Sequence, residues 1–155
     1  MPLAMNSTHW RLDEINQTIV QPYDFDDDGN NKAIKHYTFT DYPNGGLRST
    51  PKDMFKFLSA LSQNGVYNGV RILNTTTVEQ MTTVQIPNLD DQVGLHLFIM
   101  NTQYGLWGHD GGEQGVATIM AFNPTTKVGA LIFSNQGDAN LDTILREAYK
   151  LGLSL

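Results

Sequence analysis

The fold depends on one stretch, Tyr104-Gly-Leu-Trp-Gly-His-Asp-Gly-Gly-Glu-Gln-Gly115, and on the two apolar runs that follow it. These runs, residues 116–122 and 128–134, are rich in β-branched and aliphatic side chains. The five residues between them begin with Asn123-Pro124, a pair that favours a turn. We therefore predict a β-hairpin over 116–134, preceded by a glycine-rich turn.

The glycine-rich stretch is also the best candidate for a functional site. Its glycines remove the side chains that would keep a ligand away from the backbone, and His109 is the group there that titrates near neutral pH. In a turn, His109 would present an imidazole, and residues 110–112 would present unhindered N–H groups able to stabilise an oxyanion. The alternative is a tight turn in which His109 only bonds the backbone.

The segments around the hairpin complete an antiparallel sheet. Residues 93–100 and 104–109 have the pattern of strands and flank a short turn at 101–103. In the first of these segments His96 alternates with apolar residues, which places it on the outward side of a strand. We predict a sheet of three to five strands within about 93–134.

Three helices are predicted. The first spans 51–63, with Thr50 as N-cap and Asp53 closing a capping box, and its apolar face contains Met54, Phe57, Leu58 and Leu61. A second, over about 77–83, would use Thr76 and Glu79 as its capping box. The third, over about 139–151, packs on the sheet through a face formed by Leu141, Ile144, Leu145, Ala148 and Leu151. The predicted fold class is α+β, with helical or irregular structure before residue 93.

Composition narrows the class of protein. The 155 residues correspond to a single domain, 1–155, and 40% hydrophobic content is typical of a globular chain. The net charge of −6 comes without a stripe of Lys and Arg, so we predict no nucleic-acid partner. We predict no membrane span, because no run approaches about 18 apolar residues. The chain contains no cysteine, which excludes disulfides, thiolate metal sites and cysteine nucleophiles.

Two patterns favour structural roles over metal binding. Residues 24–30, Asp-Phe-Asp-Asp-Asp-Gly-Asn, match the front of a calcium-binding EF-hand loop, but Lys35 stands where that loop needs a bidentate Glu. A solvated acidic turn is the favoured interpretation of Asp24–Asp28. The other histidines, His9, His36 and His96, have no partner at metal-ligand spacing, so we predict no metal site and no cofactor.

A third pattern suggests a nucleophile. Ser49-Thr-Pro-Lys52 matches the Ser-x-x-Lys element of serine acyl-transfer enzymes, and Ser62-Gln-Asn64 matches their Ser-x-Asn element. If 51–63 is helical, the 13 positions between the two serines span roughly 20 Å, which is outside hydrogen-bond reach. We therefore interpret Ser49 to Lys52 as a helix cap.

Five segments, in order along the chain, match the pattern of one known family. They are Pro2-Leu-Ala-Met-Asn-Ser-Thr8, with Ala4 in place of a glycine; Gly45-Gly-Leu-Arg-Ser-Thr50; Gly69-Val-Arg-Ile-Leu73 with Met81; His109-Asp-Gly111; and Asn123-Pro124 with Ser134-Asn135. Together they resemble the C-terminal part of the serine β-lactamase and penicillin-binding-protein-like family, which includes D-alanyl-D-alanine carboxypeptidases and related esterases.

The resemblance implies acyl transfer, in which a serine attacks a lactam, peptide or ester carbonyl. By analogy, His109 would assist the substrate, the N–H of Gly112 would form half of an oxyanion hole, and Asp110 and Gly111 would contact substrate. In the family, the nucleophilic Ser-x-x-Lys and the Tyr-x-Asn element lie upstream of the segment that here begins at Pro2. The resemblance therefore implies a chain that lacks the nucleophile and is inactive alone.

Three further expectations follow from the resemblance. Family sheets also take strands from the beginning of the protein, so an exposed edge and self-association into a homo-oligomer are predicted. The partners would be a small-molecule or peptide substrate if another chain supplies the nucleophile. The alternative function is a non-catalytic ligand- or partner-binding module.

Relatives are commonly exported, but this chain contains no signal sequence, which leaves the compartment open.

Overall fold

The computed structural model describes residues 2–137 and 139–155 and confirms the α+β class. Within these residues the helices are α1 (Pro51–Ser62), α2 (Thr75–Met81) and α3 (Asp142–Leu153). The strands are β1 (Tyr23–Phe25), β2 (Asn31–Ala33), β3 (Val66–Tyr67), β4 (Val70–Arg71), β5 (Phe98–Asn101), β6 (Leu106–Glu113), β7 (Val116–Phe122) and β8 (Gly129–Ser134). None of the helices in this part of the chain is long and apolar enough to cross a membrane.

The main sheet has the order β5-β6-β7-β8, and each pair of neighbours is antiparallel. The predicted hairpin is present as β7 and β8, but the predicted glycine-rich turn is wrong. Residues 109–113 belong to β6 and pair with β7 as far as Glu113↔Val116. The turn comes after them, at Gln114-Gly115, where Gly115 has a φ of +73°. Within this pairing Gly111 lies opposite Thr118, and a Cβ at Gly111 would lie 2.8 Å from the Thr118 hydroxyl.

The two faces of the sheet carry separate cores, because successive side chains of a strand point to opposite faces. Leu106, Ile119 and Ala121 form one core with residues of α3. On the other face, Phe122 and Leu97 pack with Leu58 and Leu61 of α1. The sheet therefore lies between α1 and α3, and its side chains are divided between them.

Helix α3 packs through a narrower face than the sequence predicts. Leu141, Leu145 and Tyr149 are buried at i, i+4 and i+8, whereas Ile144 is 52% exposed and Leu151 is 64% exposed. Placing Ile144 and Leu151 in the core is therefore wrong. One row of side chains in this helix meets the sheet, and a second apolar row at 144 and 151 faces solvent.

The start of α1 confirms the predicted N-cap and corrects its capping box. The Thr50 side chain accepts a hydrogen bond from the backbone N–H of Asp53 at 3.2 Å. The Asp53 carboxylate does not reach back to Thr50. It accepts bonds from the backbone N–H of Ser7 at 2.8 Å, the hydroxyl of Thr8 at 3.1 Å and the ammonium of Lys56 at 2.8 Å. Asp53 thus attaches the N-terminal segment to α1.

The region before residue 93 contains structure that the sequence analysis did not predict. Strands β1 and β2 form one hairpin, and β3 and β4 form another around Asn68 and Gly69. Helix α2 begins two residues before the predicted start, with Asn74 as N-cap and without a side-chain cap, so the predicted Thr76 capping box is wrong.

The N-terminal hairpin is also joined to the end of the main sheet. The N–H of Tyr23 donates to the carbonyl of Asn135 at 2.8 Å, and the N–H of Gly137 donates to the carbonyl of Tyr23 at 3.0 Å. The Asn135 side chain donates to the carbonyl of Gln21, which is 114 positions away in the sequence. The segment around Tyr23 thus pairs with the residues that follow β8, beyond the first residue of β7.

Candidate functional site

His109 lies in the middle of β6, half-buried, on the face of the sheet that also carries α1. Its partner across the ladder is Met120 of β7. Two aromatic rings contact the His109 ring: that of His96, which precedes β5, and that of Phe98, the first residue of β5. The centroid of His96 is 5.2 Å away at an interplanar angle of 32°, and that of Phe98 is 5.4 Å away at 71°.

The hydrogen bond of His109 defines its tautomer. Its Nδ1 lies 2.5 Å from the backbone carbonyl oxygen of Asp110. A carbonyl oxygen only accepts, so Nδ1 must carry the proton. In the neutral imidazole Nε2 is then unprotonated, and its lone pair is free to accept a hydrogen bond from a ligand.

The backbone beside His109 is open on one side. Strand β5 pairs with β6 through Gly108 and no further, and within the described residues no strand covers the outer edge of 109–113. A Cβ at Gly112 would meet no atom within 4 Å. The N–H groups of successive residues in a strand point alternately to its two edges. Every second N–H of residues 109–113 therefore points to the open edge. A ligand can therefore approach this backbone directly.

The neighbouring candidates are divided between the faces. Asp110 follows His109 in the strand, so its side chain projects from the opposite face, the one covered by α3. There it lines a cavity of about 350 Å³ with Gly111, Gly112 and the residues that begin α3, Asn140 to Asp142. The structure thus brings His109 and the backbone of Gly112 to one edge and directs the Asp110 carboxylate away from the imidazole.

A second cluster, at the far end of β6, was not predicted. The Tyr37 hydroxyl donates to Oε2 of Glu113 at 3.2 Å, and the Arg48 guanidinium donates to the Tyr37 carbonyl at 2.7 Å. Partial burial, and then the charge and hydrogen bond of Glu113, raise the pKa of Tyr37. The two residues lie 76 positions apart, so no local signal in the sequence connects them.

Ser49 occupies the start of α1, as predicted for a cap region. Its hydroxyl is hydrogen-bonded to that of Thr8 at 2.8 Å and lies 3.5 Å from the carbonyl of Thr50. Ser62, at the last position of α1, donates to the carbonyl of Ser59 at 3.1 Å. The two serines of the motif matches thus lie at opposite ends of one helix.

The acidic segment 24–30 contains the last two residues of β1 and the turn of the β1–β2 hairpin, residues 26–30. The Asp26 carboxylate accepts from the backbone N–H groups of Asp28 at 3.1 Å and Asn30 at 2.7 Å, and these bonds lower the pKa of Asp26. Within residues 2–137 and 139–155, no group of three or more His, Cys, Asp and Glu side chains is arranged to hold a metal ion.

Solved structures share this fold. The octameric penicillin-binding protein homologue from Pyrococcus abyssi matches with a TM-score of 0.78 at 23% identity, over 99% of this chain and 35% of that one. The D-stereospecific amidohydrolase from Streptomyces sp. matches with a TM-score of 0.68 at 21% identity, over 97% of this chain and 45% of that one. A penicillin-binding protein from Bacillus halodurans matches with a TM-score of 0.67 at 22% identity, over 94% and 45%. The chain spans less than half the length of these proteins.

Sequence comparison identifies the family. No curated protein matches the chain. The sequence model of the family described as Beta-lactamase matches residues 1–153, which is nearly the whole chain. This match and the shared fold agree with the ordered segments from Pro2 to Asn135. The chain therefore belongs to the serine β-lactamase and penicillin-binding-protein-like family.

Proposed function

We propose that residues 1–155 are the C-terminal part of a serine hydrolase domain that transfers acyl groups from a lactam, peptide or ester. The observation that carries the proposal is the open edge of β6, a strand that contains both the imidazole of His109 and, three residues later, the unhindered backbone of Gly112. A carbonyl substrate lying along this edge can be contacted by both. The structural relatives include hydrolases of amides, which belong to the same class of acyl compound.

His109 and Gly112 have separate roles in this proposal. The free Nε2 of neutral His109 accepts a proton or hydrogen bond from the substrate, and the protonated ring donates one. The N–H of Gly112 donates to the oxygen that becomes negative when the carbonyl is attacked. Asp110 and Gly111 support the substrate from β6 and the adjoining cavity.

The proposal requires a nucleophile from outside these residues. Ser49 is hydrogen-bonded to Thr8 at the start of α1, and Lys52 is exposed at the same helix end. A donor for an oxyanion stabilises nothing until an attacking group creates that anion. We therefore propose that the chain is inactive alone and that a preceding segment or a second polypeptide completes the site.

Turnover of a chromogenic β-lactam or a p-nitrophenyl ester tests this function. The chain alone should give the uncatalysed rate. A longer gene product, whose sequence continues upstream into Ser-x-x-Lys and Tyr-x-Asn, should be active. In that product His109→Ala should lower kcat/KM by about 10²-fold or more, since it removes a proton-transfer group. The matched control, Ser49→Ala, should leave kcat/KM unchanged. Loss of turnover with Ser49→Ala would contradict the proposal.

A second candidate function is a ligand- or partner-binding module without catalysis. The cavity beside Asp110 favours it, because residues of the present chain line this cavity. The same compounds discriminate between the two functions. Saturable binding without turnover, in the longer product as well as in the chain, would support the module.

We also propose that the chain self-associates through the edge of β8. Within the described residues no strand pairs with the outer side of β8, and α3, which packs over this strand, exposes Ile144 and Leu151. An unpaired edge beside an apolar row is a template for a second copy. One structural relative is octameric.

Sedimentation velocity at micromolar concentration should therefore show a species larger than the monomer. The double substitution Ile144→Glu and Leu151→Glu should shift the distribution toward the monomer. It places four negative charges where the α3 helices of two associated copies would face each other. Lys52→Glu, on an exposed position of α1, is the control and should leave the distribution unchanged. A strictly monomeric wild-type chain would refute the association.

A further inference from the structure

His96 has a left-handed backbone conformation at an exposed position. Its φ is +68°, in the left-handed region that a side chain with a Cβ rarely occupies. Two other positive-φ residues, Asn64 and Asn68, lie beside glycines at a helix end and in a hairpin turn, where this conformation is usual. His96 is exposed, as predicted, but the predicted strand is wrong, because His96 lies in the irregular segment before β5. Strained residues of this kind occur preferentially at functional sites.

The conformation places the His96 ring against His109. The two imidazoles are 5.2 Å apart between centroids and tilted by 32° to each other. Phe98 contacts the same His109 ring edge-on, at 5.4 Å. His96 and Phe98 therefore contact His109 in two different orientations, and together they restrict rotation about its side-chain bonds.

The restricted rotation determines which nitrogen of His109 is presented to a ligand. With the ring in this position Nδ1 donates to the carbonyl of Asp110, and Nε2 is left as the free acceptor. If the ring rotated by half a turn about its bond to Cβ, Nδ1 would leave that carbonyl and both tautomers would become accessible. A ring in contact with a tilted ring at one side and an edge-on ring at another resists that rotation.

We propose that His96 is a positioning residue for His109: its ring holds the His109 imidazole in the orientation that keeps the proton on Nδ1 and Nε2 open toward the edge of β6. The role of this orientation in acyl transfer rests on the proposed function above. The positioning itself is a property of the present chain and is measured without turnover.

Imidazole nitrogen spectra of the ¹⁵N-labelled chain test the proposal. At about pH 8.5, well above the ordinary pKa of an imidazole, His109 should show the pattern of a single Nδ1–H tautomer. In His96→Gly this pattern should move toward the average of both tautomers. Glycine tolerates positive φ, so the fold should be retained, with a melting temperature within about 4 °C of wild type.

Two variants separate positioning from general effects on the fold. Lys127→Gly makes the same backbone change at a φ of +64°, in the β7–β8 turn, and should leave the His109 pattern unchanged. His96→Phe retains a planar ring and should retain the single tautomer. A wild-type pattern in His96→Gly, or averaging in His96→Phe or Lys127→Gly, would overturn the proposal. An altered pattern in His96→Gly, together with a longer product that lacks turnover, would uphold the positioning and reject the acyl-transfer function.

Discussion

Gly108→Ala is expected to lower the free energy of unfolding by more than about 3 kcal/mol, since forced overpacking of a core costs this much or more when the surrounding atoms cannot move. A Cβ at this position would overlap the carbonyl oxygen of Met120 and lie 2.7 Å from the Cα of Ala121 and 2.9 Å from its Cβ. These are mainly backbone atoms of β7, which is held on both sides by β6 and β8. The added methyl group therefore has to separate two central strands of the sheet.

Chemical denaturation followed by circular dichroism measures this effect, and Gly112→Ala is its control. Gly112 is in the same strand, on the same face, but a Cβ there would meet no atom within 4 Å. We expect Gly112→Ala to change the free energy of unfolding by less than about 1 kcal/mol. Similar losses for the two variants would mean that the close approach of β6 to β7 at Gly108 does not govern stability.

Asp53→Ala is expected to lower the free energy of unfolding by about 2–4 kcal/mol, because it removes the carboxylate that accepts three charge-assisted hydrogen bonds. Asp53 is 4% exposed, and its carboxylate joins Ser7 and Thr8 to α1. Without it, the N–H of Ser7 loses its acceptor, and the ammonium of Lys56 loses its anionic partner and retains the carbonyl of Ala4. The measurement is equilibrium unfolding at neutral pH, with Lys52→Ala at an exposed position of the same helix as control.

The effect of Asp53 should depend on pH. Burial alone would raise its pKa, but the bonds from Lys56, Ser7 and Thr8 outweigh burial and hold the pKa below the ordinary value of a carboxyl. A carboxyl with a lowered pKa in the folded state stabilises fully above its unfolded pKa of about 4, and this contribution disappears as pH falls through the folded value. The difference between wild type and Asp53→Asn should therefore be constant from about pH 7 to 5 and shrink below about pH 4. A difference that grows on acidification would contradict this assignment.

The elements with strong local signals were predictable from the sequence. Helix α1 has a Thr-Pro start and an apolar row, and the β7–β8 hairpin has two apolar runs around an Asn-Pro turn. The β3–β4 hairpin was missed although its signal is present. Asn68-Gly69 is the pair typical of a two-residue turn, and both residues have positive φ.

The environment of the candidate site was not predictable, because distant contacts determine it. A glycine-rich run favours a turn locally, but pairing with β7 makes residues 109–113 a strand. His109 and Gly112 were identified from their residue types, whereas the rings of His96 and Phe98 and the bond to the Asp110 carbonyl arise from tertiary structure. Alternation within an apolar run indicated an outward position for His96 and gave no sign of its left-handed backbone.

The backbone bonds that join Tyr23 to Asn135 and Gly137 also affect how the protein is made. A ribosome releases residue 23 long before residue 135. During synthesis the backbone N–H and carbonyl of Tyr23, in the β1–β2 hairpin, therefore still lack the partners that residues 135 and 137 provide. These bonds form after about a hundred further residues have been added, and closing such a loop has an entropic cost that slows folding. Nascent chains arrested before residue 135 should therefore be sensitive to protease around Tyr23, and a chain that extends through residue 155 should be resistant there.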